Sequence, residues 1–153
     1  MARLIMAALA MMSLIGAAAA ADKPNYSGEW KMDLAKSNFG QFPPPGSIVR
    51  KIAHKDPILT IVEDQTAGGA QSTTTRKLTT DGKAANQELN GVMAACSSVW
   101  EGADIVATTS LDSVGLKFTD RMSLSSDGKT LTSKVHIASP QGDGDLTIVF
   151  DRQ

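Results

Sequence analysis

The chain has 153 residues, with 15 Lys+Arg against 16 Asp+Glu and 42% hydrophobic residues. With no basic excess to neutralise phosphates, nucleic acid is excluded as a natural partner, and the lone Cys96 rules out an intramolecular disulfide. The length fits one domain that buries roughly two-thirds of its unfolded surface.

Residues 1–21 read as an export signal. Arg3 supplies the positive end, Leu4 to Ile15 the apolar run, and Ala19-Ala20-Ala21 the small-residue cleavage site before Asp22. Cleavage there leaves residues 22–153 as a single exported domain, periplasmic or extracellular. No second long apolar run follows, so the mature form is expected to have no membrane span.

The remainder is rich in Ser, Thr, Val and Ile, and Asx-Gly pairs recur along it. Ten strands are predicted in chain order: 26–32, 47–54, 58–64, 70–80, 84–89, 92–100, 105–111, 116–125, 131–138 and 146–151. The alternation is cleanest late in the chain. Leu116, Phe118, Met122 and Leu124 share one face, opposite Lys117, Thr119, Arg121 and Ser123. Leu131, Val135 and Ile137 share another, as do Leu146, Ile148 and Phe150. Such one-sided patterns belong to antiparallel strands with one face in a core and one in water.

Asp81-Gly82, Asn90-Gly91 and Asp127-Gly128 are predicted to turn tight hairpins, because such pairs supply the positive φ of these turns. Residues 83–89 could instead form two turns of helix; Asn90-Gly91 favours a strand that turns into 92–100. Residues 33–46, with Pro43-Pro44-Pro45-Gly46, form the one long irregular connection. Proline makes it stiff and extended, suited to a lid or strap over a barrel end.

Known catalytic spacings are absent, including the nucleophile elbow, the zinc-protease helix and the phosphate loop. No catalytic residue, metal ligand set or cofactor is therefore assigned. His54, near a strand end, and His136, opposite an apolar face, are both expected in water. Cys96 has no adjacent cation to activate it and reads as a buried structural thiol. Gly142-Asp143-Gly144-Asp145 reads as a polar hairpin turn, since the longer calcium-loop pattern is missing.

Three charges fall on apolar faces: Asp120 with Phe118 and Met122, Arg76 with Leu78, and Arg50 with Ile48 and Ile52. A buried charge needs a partner or water. Two readings follow: an internal Arg–Asp pair, or a polar anchor for a ligand in an apolar cavity. Ala94, Ala95, Cys96, Ser97 and Ser98 are small, leaving room on that wall or letting another segment pack closely.

Gly28-Glu29-Trp30 opening the first strand, followed by an irregular connection and an up-and-down run of strands, resembles the lipocalin and wider calycin families. In that family the tryptophan closes one barrel end and packs against an arginine just after the last strand. Trp30 and Arg152 stand in matching places. The stretch from Tyr26 to Gly40 also resembles the start of small secreted bacterial proteins of an uncharacterised family, which implies the same compartment and fold.

The expected fold is an all-β, single antiparallel up-and-down barrel of lipocalin-like type, with about eight to ten strands. The expected function is binding of a small, largely apolar ligand inside it. Trp30, Trp100, Phe118, Met122 and Phe150 would line the site, with Asp120 or Arg76 as polar anchor. The alternatives are a protein–protein module or envelope-associated inhibitor acting through a loop such as 39–46, and, third, a periplasmic enzyme using the barrel mouth.

Overall fold

The computed structural model describes residues 22–153; the export signal predicted over 1–21 lies outside the described residues. Ten strands run in chain order: β1 (Gly28–Met32), β2 (Ser47–Lys55), β3 (Ile58–Ala67), β4 (Ala70–Thr79), β5 (Ala85–Leu89), β6 (Val92–Glu101), β7 (Asp104–Leu111), β8 (Leu116–Leu124), β9 (Thr130–Ala138) and β10 (Gly144–Arg152). Each matches a strand expected from the sequence, with ends shifted by at most three residues. Among the described residues no helix is long and apolar enough to cross a membrane.

The strands form one antiparallel sheet in the order β4-β3-β2-β1-β10-β9-β8-β7-β6-β5. Pairing of β1 with β10 joins the two halves of the chain, with Trp30 opposite Arg152. The sheet curls until its edges, β4 and β5, face each other as the last seam of a nearly closed barrel. No backbone ladder spans that seam. The side chain of Gln87 does so instead: its amide donates to the Lys77 carbonyl at 2.9 Å and accepts from the Lys77 N–H at 2.9 Å. It thus offers β4 the same donor and acceptor that a neighbouring peptide group would. Asn90 adds a bond from its amide to Thr74 Oγ1, 2.8 Å.

Turn chemistry accounts for the hairpins. Asn90 and Gly91 have φ of +50° and +83°, the two positive values of a type I′ turn, and Leu89 pairs with Val92 across it. Gly128, φ +68°, turns β8 into β9, and Asp127 Oδ1 accepts from Ser125 Oγ and Lys129 N. Asp81-Gly82 departs from the expected hairpin. Asp81 accepts from Thr79 Oγ1 and Lys83 N, so the local turn forms. The chain then crosses toward β6, where Asp81 bridges Val99 and Gly82 N donates to the Ser98 carbonyl at 2.8 Å. An Asx-Gly pair sets a local reversal; pairing of the strands it joins depends on the barrel seam.

One end of the barrel is packed shut. Trp30 is fully buried, its Nε1 donates to the Tyr26 carbonyl at 3.1 Å, and the Arg152 guanidinium lies 4.2 Å from its ring centroid. Arg152 also donates to the carbonyls of Gly128 and Ser27. Gly28 has φ +149°, and a Cβ there would come within 2.5 Å of Arg152 Nη1. The glycine of the Gly28-Glu29-Trp30 element is therefore what lets the arginine approach the indole. Tyr26 donates its hydroxyl toward the carbonyls of Ala103 and Met122, both at 2.9 Å, and burial, then nearby Asp104, pushes its pKa up to about 12.

His54 belongs to this end and is not solvated as expected. Its side chain is only 4% exposed and packs edge-on to Tyr26 and tilted against Trp100. Nδ1 accepts from the Tyr26 N–H at 3.2 Å, which selects the tautomer with the proton on Nε2. The segment before β1 folds over the end of β2 and covers the ring, a non-local event that strand parity does not report. His136 lies at the surface as expected, bonded to Asp145 at 2.8 Å. Cys96 is a buried thiol as expected, its Sγ 3.9 Å from Thr109 Oγ1.

Replacing Trp30 with Ala removes the plug of this end and is expected to lower stability by about 3–5 kcal/mol. Chemical denaturation measures it; an unchanged midpoint would show that the ring closes nothing.

Candidate functional site

The other end is hollow. A cavity of about 550 Å³ occupies the half of the barrel bounded by the turns after β3, β5, β7 and β9 and by residues 33–46. That volume lies within the range of small-molecule pockets. Its walls are mostly apolar: Ile48 on β2, Leu89 and Val92 flanking the Asn90-Gly91 turn, Leu111 and Phe118 around the β7–β8 turn, and Val135, Ile137, Leu146 and Ile148 on β9 and β10.

Residues 33–46 cross the mouth as a strap. Asn38 exchanges two backbone bonds with Thr147, 2.7 and 2.8 Å, and Gly46 N donates to the Thr66 carbonyl at 2.7 Å, so the strap is pinned at both ends. Phe39, Phe42, Pro43 and Pro45 face the cavity from it. Phe42 rests on the backbone of Gly144, where a Cβ would meet its ring at 2.6 Å. The glycine of Gly142-Asp143-Gly144 therefore seats the strap as well as serving the turn.

The floor is polar. Arg50 on β2 is almost fully buried and lies over the Phe150 ring at 4.7 Å. Its Nε donates to Glu63 Oε2 at 2.8 Å, and its Nη2 lies 2.7 Å from the same oxygen. Its Nη1 donates to Asp120 Oδ2 at 3.2 Å and Ser133 Oγ at 3.1 Å. Ser133 in turn donates to Asp120 Oδ1. Burial alone would push the Glu63 carboxyl up; Arg50 and then Arg76 outweigh it and hold the group below its ordinary 4.5. For Arg50, burial works against the charge, and Glu63 and Asp120 more than offset it.

Arg76 on β4 differs. It lines the cavity, its Nη2 reaches Asp120 Oδ2 only at 4.0 Å, and among the described residues its guanidinium donates no hydrogen bond. Its guanidinium is the floor's available donor.

Of the seven residues expected to line a ligand site, three line the cavity: Arg76, Phe118 and Asp120. The other four do not. Trp30, Met122 and Phe150 are fully buried in the packed half. Trp100 caps the closed end, donating to Asp56 Oδ1 at 2.7 Å. Alternation identified them as inward-facing but carries no information on height along the barrel axis. Asp120 lines the floor as Arg50's partner, so the internal pair and the cavity coexist. Ala94, Cys96 and Ser98 are buried in the interior, yet the cavity lies beside Val92 and Thr109.

Two floor residues were missed. Glu63 continues the parity of buried Leu59 and Ile61 and lies opposite Arg50 in register. Ser133 sits between Leu131 and Val135 on their shared face. That alternation was the available signal for both.

No protein-family model and no curated protein matches the sequence. Solved structures with similar barrels do. A secretory abundant heat soluble protein from Ramazzottius varieornatus superposes with a TM-score of 0.60 at 10% identity, over 84% of this chain and 95% of that one. The zebrafish ileal bile acid-binding protein, solved with cholic acid, gives 0.58 at 15%, over 84% and 98%. Fatty-acid-binding protein 1 of Echinococcus granulosus gives 0.58 at 11%, over 83% and 96%. The fold is thus the single up-and-down antiparallel barrel that these structures share, the architecture expected from the sequence.

Arg50→Met would strand Glu63 and Asp120 without their shared cation, and a loss of about 3–5 kcal/mol is expected in denaturation. The pH dependence has a definite sign. Because Glu63 titrates lower in the folded state, its contribution is complete above the unfolded value near 4.5 and is lost as pH falls through the folded one. Stability should therefore fall on acidification below that range, and Glu63→Gln should flatten this limb; an identical acid profile in the variant would contradict the assignment.

Proposed function

We propose that the protein binds a small, largely apolar molecule inside the open half of the barrel. The observation that carries this is the hollow half itself: about 550 Å³ with apolar walls, converging on Arg76, whose guanidinium donates no hydrogen bond among the described residues. Apolar walls supply non-directional affinity and a few polar groups fix orientation. Arg76 is the anchor, donating to an oxygen of the ligand. Asp120 serves indirectly, by holding Arg50.

The similar barrels named for bile-acid and fatty-acid binding support the same reading. The strap supports it too. Its two phenylalanines turn toward the cavity, so the segment offers its apolar surface to an internal ligand in preference to an external protein partner. We further propose that this binding takes place outside the cytoplasm, after removal of residues 1–21.

A fluorescent fatty-acid or naphthalene probe titrated into the protein is expected to bind saturably. Phe118→Arg, which places a cation on the apolar wall, should weaken it at least about tenfold, about 1.4 kcal/mol. Absence of probe binding, or equal binding by both proteins, would refute the internal site. For export, the intact mass of the chain recovered outside the cytoplasm should correspond to a start at or near Asp22; a mass that retains residues 1–21 would refute it.

A further inference from the structure

We propose that the cavity selects a ligand whose polar head is uncharged and both accepts and donates hydrogen bonds, such as a carboxamide, lactam or alcohol, over a carboxylate or an amine on the same apolar body. This rests on the ligand-binding reading above and names the class of molecule that site would take.

The charge balance of the floor is the starting point. The ionisable side chains lining the cavity are Arg50, Glu63, Arg76 and Asp120. These are two cations and two anions, so the floor has no net charge to offer an ion. Arg50 is fully engaged by Glu63, Asp120 and Ser133. Arg76 remains a donor without a hydrogen-bonded acceptor among the described residues.

Glu63 supplies the complementary group. Both of its contacts with Arg50 use Oε2. Among the described residues, Oε1 accepts no hydrogen bond. Glu63 lies two places beyond Ile61, the residue paired with Arg76 in the β3–β4 ladder, so the two side chains are diagonal neighbours on the same face. A donor and an acceptor thus stand side by side on the cavity wall.

A carboxylate accepting from Arg76 would have to approach Glu63, and Asp120 lies 4.0 Å behind the same guanidinium. Among floor side chains that are largely buried, that repulsion opposes the attraction, and the added anion leaves the floor with a net charge. An ammonium head fails for the mirror reason, since it would meet Arg76 and Arg50. A carboxamide accepts from Arg76 through its oxygen and donates to Glu63 Oε1 through its nitrogen, and the floor stays neutral. An alcohol does the same with one oxygen.

The test is displacement of the bound naphthalene probe from the wild-type protein at neutral pH. The competitors are a primary carboxamide, a carboxylate and an amine sharing one alkyl chain. The carboxamide is expected to displace the probe at a concentration at least about tenfold lower than either ion. The carboxylate should improve as pH falls through its own pKa, with uptake of about one proton. Glu63→Gln, which makes the floor net positive, should shift preference toward the carboxylate. A wild-type carboxylate that competes as well as the carboxamide would overturn the proposal, as would a bound probe that none of the three displaces. Failure of the probe itself to bind wild type would instead refute the cavity reading, and this proposal with it.

Discussion

The guanidinium of Arg50 divides the barrel in two. A cation buried as deeply as Arg50 needs partners in place of water, and this one gathers them from around the wall. Glu63 comes from β3, Asp120 from β8 and Ser133 from β9, while Phe150 of β10 lies beneath. Residues from five strands are thereby held at one height. On one side the interior is filled by Trp30, Tyr26, Ile105, Met122, Leu131 and Phe150. On the other it is open. A buried ion pair seldom adds net stability over well-packed apolar side chains. Here its consequence is architectural: an apolar layer at that height would extend the packed half, whereas the charged layer ends it with a polar floor.

The two ends of the barrel use different physics. The closed end satisfies backbone carbonyls with side chains that also fill volume. Trp30, Tyr26 and Arg152 each donate to main-chain oxygen while their rings or stems exclude water. The open end is covered by chain that is pinned to the sheet at Thr147 and Thr66 and turns its rings inward. The seam between β4 and β5 combines both solutions. Gln87 supplies one peptide-like pair of hydrogen bonds, and Asn90 holds the neighbouring turn against Thr74. Two opposed edges that would otherwise offer unpaired backbone to other chains are thereby drawn together.

Local chemistry was legible where it is truly local. Alternation placed all ten strands, and Asn90-Gly91 decided that 85–89 is a strand, because two consecutive positive φ values demand a hairpin. Trp30 and Arg152 were legible as a pair through the resemblance to the lipocalin families, with cation–π attraction as its physical basis; the close approach that Gly28 permits shows only in the structure. His54 is buried because Tyr26 and Trp100, distant in sequence, pack on its ring. The Asp81-Gly82 hairpin failed because the strands it joins are the two free edges of the sheet.

The floor shows where sequence reasoning ends. Parity marked Arg50, Arg76 and Asp120 as inward, and the same parity was available for Glu63 and Ser133. What parity cannot supply is height, since it has a period of two residues and says nothing of the strand's tilt or stagger within a barrel. Phe118 and Met122 share one face of β8, yet one lines the cavity and the other is sealed in the packed half. The sequence by itself determined which residues face inward and where the chain turns, because alternation and turn geometry are written in near neighbours. Only the tertiary structure decided which inward residues fill the barrel and which surround its cavity, because that depends on how ten strands are staggered and where one guanidinium finds its partners.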